Sequence, residues 1–120
     1  MIEFTDVVKS YSEGNYALNG VNMLIEDGEF CFLVGPSGSG KSTIIKLITG
    51  ELQPTSGTVH VNGYSLDRIR TREIPYLRRT IGVVFQDFRL IENMTVYDNV
   101  AFAMRVIGAS TAEIRSRVPY

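Results

Sequence analysis

The segment Gly35–Thr43 reads G-P-S-G-S-G-K-S-T and constrains this chain more than any other stretch. It matches the pattern G-x-x-x-x-G-K-[ST], with Gly35, Gly40, Lys41 and Ser42 at the defining positions. Glycines let a backbone turn tightly, so that successive N–H groups point inward and form a nest for phosphate oxygens. The pattern therefore predicts a phosphate-binding loop that opens into a helix.

A chance match in a glycine-rich turn is the alternative interpretation, and the flanking residues argue against it. The run Phe30–Val34 is uninterruptedly apolar, which is typical of a strand buried on both faces of a parallel sheet. Apolar residues follow the loop at helical spacing, and Gly50 stands where a helix would end. The order strand, loop, helix predicts nucleotide binding and an α/β fold with parallel strands in its core.

Individual residues of the loop have distinct chemical roles toward a nucleotide. Lys41 brings a mobile positive charge to the β- and γ-phosphates. The hydroxyl of Ser42 is a ligand for Mg²⁺, and Thr43 can reach the α-phosphate. The loop residues predicted to bind the nucleotide are Ser37, Gly38, Ser39, Gly40, Lys41, Ser42 and Thr43.

Short strands are predicted on both sides of the loop. Period-two apolar patterns indicate strands at Ile2–Tyr11, Ala17–Glu26 and Thr58–Val61, separated by turn residues. These strands form an antiparallel N-terminal part of the fold. A further apolar run, Ile81–Phe85, is predicted as a second buried core strand.

The C-terminal part is predicted to be helical. A helix is expected over Thr95–Ile107, with Thr95 as its N-cap and Asp98 in its first turn. Ser110 and Glu113 form a capping-box pattern that starts another helix.

Composition and charge exclude several classes of function. Twelve basic and thirteen acidic residues leave a net charge of −1, which gives no indication of binding to nucleic acid or to an acidic lipid surface. The arginines between Tyr64 and Arg79 alternate with acidic residues, and we expect a solvated short helix and loop there. No apolar run approaches ~20 residues, and the first residues do not resemble a signal peptide. Cys31, the only cysteine, lies in an apolar run and is predicted to be buried. Because a single cysteine forms no internal disulfide and neither a signal peptide nor a membrane span is indicated, a cytosolic location is expected.

Four local features resemble the ATP-binding subunits of ABC transporters. The first is the loop Gly35–Thr43, and the second is Tyr11, at the place of the family's adenine-stacking aromatic, with Tyr16 as its rival. The third is Leu52–Gly63, which reads L-Q-P-T-S-G-T-V-H-V-N-G. The fourth is Val84–Gln86, V-F-Q, which resembles the family's Q-loop.

This resemblance implies an ATPase that uses ATP and Mg²⁺ and pairs with a second subunit to enclose two nucleotides. Tyr11 would stack on adenine, and Lys41 and Gln86 would be the catalytic residues. Ser42 and Gln86 would contact Mg²⁺. Because the π-face of the ring does the stacking, the Tyr11→Phe variant is expected to keep most of the affinity.

The stretch Phe85–Val100 is similar to the branch of this family that serves bacterial cell division. That branch implies a membrane subunit of the FtsX type, which docks near Gln86–Met94 and holds the protein at the inner face of the cell membrane. A groove for a helix of this partner is predicted from apolar residues, with a partly buried loop as the alternative; the residues are Phe88, Leu90, Ile91 and Met94.

The chain, residues 1–120, resembles only the N-terminal part of such a nucleotide-binding domain. His60 is the only histidine and is interpreted as a structural or surface residue. Asp87, beside Gln86, is the nearest acidic side chain, whereas the family takes its catalytic base from the missing half. The 120-residue chain is therefore expected to be catalytically incompetent and to associate as a dimer or larger species. A nucleotide-binding module without hydrolysis is the alternative function, and another phosphate-loop enzyme, such as a kinase, is a weaker one.

Overall fold

The structure is a computed structural model that describes residues 1–87 and 89–119. It divides into two units, Met1–Gly82 and Val83–Tyr120, which are described separately below. The first unit contains a β-sheet and the predicted phosphate-binding loop. The second contains the two C-terminal helices and the segment that precedes them.

An antiparallel sheet with the strand order β2–β1–β3–β4 is the framework of the first unit. Its strands are β1 (Ile2–Ser12), β2 (Asn15–Ile25), β3 (Ser56–Val61) and β4 (Tyr64–Ser65). The three strands predicted from period-two patterns are confirmed, with ends that differ by at most two residues. The α/β class with an antiparallel N-terminal sheet is confirmed as well.

The hydrophobic core of the first unit lies between this sheet and its helices. The helices are α1 (Lys41–Ile48) and α2 (Ile74–Arg78), the latter preceded by a 3₁₀ turn over Thr71–Glu73. Ile44 and Leu47 of α1 are buried in the same cluster as Phe4 of β1 and Val59 of β3. This packing holds the start of α1, and with it the loop, against the edge of the sheet. The arginine-rich stretch forms the 3₁₀ turn and α2 with its arginines on the surface, as predicted.

The two helices of the second unit confirm the capping signals. They are α3 (Val96–Val106) and α4 (Thr111–Arg117). The hydroxyl of Thr95 accepts a hydrogen bond from the backbone N–H of Asp98 at 3.0 Å. Ser110 and Glu113 make both bonds of a capping box. The backbone N–H of Ser110 donates to the Glu113 carboxylate at 2.8 Å, and this bond holds the pKa of that carboxyl below its ordinary value. Within residues 1–87 and 89–119, none of the helices has the length and apolar character needed to cross a bilayer.

The structure differs from prediction at the two apolar runs. Phe30–Val34 and Ile81–Phe85 belong to no strand, and Phe30 and Val84 are 84% and 98% exposed. Cys31 is exposed too. The predicted buried strands are therefore wrong for the described residues. A parallel strand needs hydrogen-bonded neighbours and cover on both faces, and strands β1–β4 pair only with one another, all antiparallel.

Candidate nucleotide site

Helix α1 begins directly at the predicted loop and leaves its first backbone N–H groups free. Gly40 is the N-cap, in a left-handed conformation with φ +96°, and no side chain caps the helix. The first helical bond runs from the N–H of Ile44 to the carbonyl of Gly40 at 3.0 Å. The N–H groups of Lys41, Ser42 and Thr43 therefore have no partner within the helix, and with the helix dipole they favour an anion.

Gly40 is required here by space as well as by conformation. A Cβ atom at this position would lie 2.8 Å from the carbonyl oxygen of Ala17 and 2.8 Å from a methyl carbon of Leu18. Both neighbours belong to β2, so the loop closes against that strand with no room for a side chain. The tight closure keeps the free N–H groups of α1 at the surface, where a phosphate can reach them.

A small cavity lies at this junction, with a volume of about 160 Å³. It is lined by Ala17, Gly38, Gly40, Lys41, Ser42 and Thr43. Pockets for whole small molecules usually measure about 300–1,000 Å³, so this cavity suits phosphate groups and leaves the rest of a nucleotide outside. Five of the seven loop residues that were predicted to bind the nucleotide therefore line this cavity.

The side chain of Lys41 folds back over the loop. Its ammonium group donates a hydrogen bond to the carbonyl oxygen of Gly35. An ammonium has three donors, so two remain for phosphate oxygens while the loop stays closed. This geometry fits the predicted role of Lys41 at the β- and γ-phosphates.

The described residues offer Mg²⁺ few protein ligands. No group of three or more acidic, histidine or cysteine side chains lies together within residues 1–87 and 89–119. Mg²⁺ usually keeps several waters and binds through substrate phosphates together with one or two protein ligands. The Ser42 hydroxyl, exposed beside the cavity, fits such a site.

Tyr11 reaches the loop from β1. Its hydroxyl lies 3.0 Å from the hydroxyl of Thr43, and either group can donate the hydrogen bond. Thr43 is only 6% exposed, whereas Tyr11 is 55% exposed, so its ring remains accessible to a base. Tyr16 is equally exposed, but its described contacts include no hydrogen bond or ring contact with the loop. The structure thus brings Tyr11, rather than Tyr16, to the phosphate loop.

Gln86 lies in the second unit, in a turn with Asp87, and both are exposed. The carboxylate of Asp87 is 3.5 Å from the guanidinium of Arg89, which also lies over the ring of Phe85 at 4.0 Å. An exposed carboxylate that is already paired with a guanidinium is a poor candidate for a catalytic base. His60 lies in β3, where it pairs with Glu3 of β1, and it is half-buried. This place in the sheet agrees with its interpretation as a structural or surface residue.

The segment predicted to contact a membrane partner lines an apolar cavity of about 370 Å³ in the second unit. Its walls are Leu90, Ile91, Glu92, Met94, Val96, Asn99 and Val100. Three of the four residues predicted for a groove are among them, and the fourth, Phe88, lies outside the described residues. Five of the seven wall residues are apolar, and the other two are Glu92 and Asn99.

Asn99 lines this cavity from helix α3, and no pattern in the sequence pointed to it. Its side-chain oxygen accepts the N–H of Ile91 at 2.8 Å, and its amide group lies 3.2, 3.3 and 2.9 Å from the carbonyls of Ile91, Met94 and Thr95. One side chain on α3 thus ties the backbone of residues 91–95 to the helix. An asparagine in the first turn of a helix is a weak sequence signal, because nothing local shows which backbone it binds.

We expect Asn99→Ala to loosen residues 91–95, because the backbone N–H of Ile91 loses its acceptor. Because this bond is exposed and water can replace the acceptor, the expected cost is about 0.5–1.5 kcal/mol in the local opening free energy. Hydrogen exchange at the Ile91 amide measures it, with Asn93→Ala as the control because Asn93 is exposed in the same loop. Equal exchange in both variants would contradict this function of Asn99.

A glycine-rich loop that opens into the uncapped start of a helix is the phosphate-binding geometry of P-loop nucleotide-binding proteins. The sequence profile of the ABC transporter family matches residues 18–119, and the chain belongs to that family. It is 52% identical to the cell division ATP-binding protein FtsE of Bacillus subtilis (strain 168) over 98% of this chain and 52% of the relative. FtsE of Escherichia coli (strain K12) is 48% identical over 98% of this chain and 53% of the relative. The predicted resemblance to the family and to its cell-division branch is confirmed.

Solved structures agree with the fold. The dimeric, post-hydrolysis structure of the ATP-binding cassette MJ0796, bound to ADP and Pi, aligns with a TM-score of 0.87 and 37% identity. The alignment covers 98% of this chain and 54% of that cassette. This chain therefore spans about half the length of the relatives that it matches.

Proposed function

We propose that the protein with this chain is the ATP-binding and ATP-hydrolysing subunit of an ABC-type complex that acts in cell division with a membrane partner. The observation that carries the proposal is the junction of loop and α1. There the uncapped helix start and Lys41 line one small cavity, and the Tyr11 hydroxyl contacts Thr43 in its wall. The family of the chain and the names of its relatives support the same function.

In this proposal the chain binds MgATP through three sets of contacts. The adenine stacks on Tyr11, and the phosphates lie on the backbone N–H groups of Ser37–Thr43. Ser42 and Gln86 would be ligands or near neighbours of Mg²⁺, which would neutralise the charge that develops on the phosphate. Lys41 stabilises the same charge, and its hydrogen bond to Gly35 holds it over the loop before the reaction begins.

Hydrolysis needs a group that orients the attacking water, and Gln86 would contact that water. Asp87 is not assigned, because its carboxylate is paired with Arg89. The second candidate function, for residues 1–120 by themselves, is a nucleotide-binding module without hydrolysis, since Asp87 was the only candidate base that the sequence offered there. Phosphate release from ATP in the absence of any acceptor separates the two candidates, and it also separates both from a kinase.

The proposed partner is a membrane subunit of the FtsX type, docked on residues Gln86–Met94. The apolar cavity lined by this segment supports a helix-in-groove contact. Two copies of the protein enclose two nucleotides, as the dimeric form of MJ0796 supports. The protein then lies on the cytoplasmic face of the membrane through its partner.

Removing the Ser42 hydroxyl tests the metal contact. We expect Ser42→Ala to weaken ATP binding about tenfold when Mg²⁺ is present, because a ligand to a charged ion is lost. Binding in excess chelator should change little, since the phosphate contacts remain. Calorimetric titration with and without Mg²⁺ measures both, and an equal loss in the two conditions would rule out the metal role.

A tyrosine pair tests the adenine contact. Tyr11→Ala should weaken ATP binding by roughly 1–3 kcal/mol, because the stacking surface is removed. Tyr16→Ala is the matched control, with the same exposure in the neighbouring strand, and it should leave the affinity unchanged. A loss in the Tyr16 variant without one in the Tyr11 variant would move the stacking position to Tyr16.

A further inference from the structure

We infer that the hydroxyl of Tyr11 has a function of its own: it positions the Thr43 hydroxyl for the phosphate chain. This inference rests on the proposed nucleotide binding and adds a positioning contact to it. Stacking needs only the ring of Tyr11, whereas the structure places the hydroxyl 3.0 Å from Thr43. The adenine and phosphate subsites are thus joined through a pair of side chains.

The contact is suited to relay a hydrogen bond. A hydroxyl group has one hydrogen to donate and two lone pairs to accept with. When Thr43 gives its hydrogen to a phosphate oxygen, its own oxygen is left to accept from Tyr11. Successive hydrogen bonds polarise one another, so a donating Tyr11 strengthens the bond from Thr43 to the anion.

The surroundings hold both partners in place before any nucleotide arrives. Thr43 is 6% exposed and lies in the first turn of α1, whose N–H groups face the cavity. On β1, the ammonium of Lys9 lies 5.7 Å from the Tyr11 ring centroid and donates to the carbonyl of Gln53 at 2.8 Å. The N–H of Ser10 donates to the side chain of Thr55 at 3.0 Å. The two residues that precede Tyr11 in β1 are therefore tied to residues 53 and 55.

A positioning function of the Tyr11 hydroxyl changes the affinity expected for the Tyr11→Phe variant. Tyr11→Phe keeps the stacking face, so stacking alone predicts no loss of affinity. A positioning hydroxyl predicts a loss of about two- to tenfold, the usual effect of one hydrogen bond. The loss should appear even for a ligand that has no base, because the contact acts on the phosphate side.

The experiment measures the affinity of the full-length protein for ATP and for inorganic tripolyphosphate by calorimetry. We expect Tyr11→Phe and Thr43→Val each to weaken tripolyphosphate binding about two- to tenfold. The double variant should be no weaker than Thr43→Val alone, because both changes remove the same relay. Thr43→Ser should restore the affinity, since it keeps the hydroxyl, and Tyr16→Phe should have no effect.

Two results would overturn the inference while leaving the proposed function intact. The first is wild-type affinity for tripolyphosphate in Tyr11→Phe, and the second is additive losses in the double variant. A wild-type protein that binds neither ATP nor tripolyphosphate would instead overturn the proposed function and the inference together. Thermal unfolding of each variant without ligand shows that an observed loss is not a loss of folded protein.

Discussion

Replacing Lys41 with alanine is expected to abolish tight MgATP binding and, with it, hydrolysis by the full-length protein. The ammonium closes the loop through Gly35 and keeps two donors for phosphate oxygens. Each charge-assisted hydrogen bond contributes about 1.5–3 kcal/mol, so two of them amount to about 3–6 kcal/mol, or more than a hundredfold in affinity. Calorimetric titration with MgATP and a phosphate-release assay measure the two effects.

Lys46→Ala is the matched control for this experiment. Lys46 lies in the last turn of the same helix, exposed to solvent, and it does not line the cavity. Its removal should leave both the affinity and the turnover near the wild-type values. Unchanged affinity in the Lys41 variant would show that the loop does not hold the phosphates, and the assignment of the site would be wrong.

Gly57→Ala is expected to cause the largest loss of stability among the glycine substitutions in the sheet. Gly57 lies in β3 with φ +83°, and an added Cβ would lie 2.3 Å from the carbonyl oxygen of Asp6 in β1. Asp6 itself has φ 48°, at a shift in the register of the two strands. The left-handed backbone costs about 1–2 kcal/mol for alanine, and the overlap with backbone atoms adds about 1–3 kcal/mol.

Gly63→Ala separates these two costs. Gly63 has φ +88°, but an added Cβ would meet no atom within 4 Å. The control should therefore lose only the conformational part, about 1–2 kcal/mol. Unfolding of both variants in urea gives the difference directly. Equal losses of unfolding free energy in the two variants would mean that β1 moves away from Gly57 at no cost. That result would contradict the close contact between Gly57 and Asp6.

The local features of this chain were predictable because their signals lie within a few residues. The loop Gly35–Thr43, the N-cap at Thr95 and the capping box at Ser110 each depend on side chains and backbone groups at most a few positions apart. The antiparallel strands were predictable for the same reason, since alternation and turn residues are read along one segment. The family could be recognised from these pieces because they come in a fixed order.

Features that join distant segments were not predictable in the same way. An apolar run such as Phe30–Val34 carries the composition of a buried strand, but pairing depends on neighbours that the run itself does not contain. Its exposure in the structure follows from the lack of such neighbours among strands β1–β4. The bonds of Asn99 to residues 91–95 depend likewise on how a loop folds back onto its helix.

The sequence by itself determined that a glycine-rich loop opens into the start of a helix, and it predicted that this loop binds phosphate. It favoured Tyr11 over Tyr16 as the aromatic of the site by position alone, since the two residues are chemically identical and both lie near the β1–β2 turn. Only the tertiary structure showed that the Tyr11 hydroxyl lies 3.0 Å from the hydroxyl of Thr43 in α1, across 32 positions of the chain. The physical reason is that a loop's conformation is set by its own residues, whereas a contact between side chains is set by the packing of the elements that carry them.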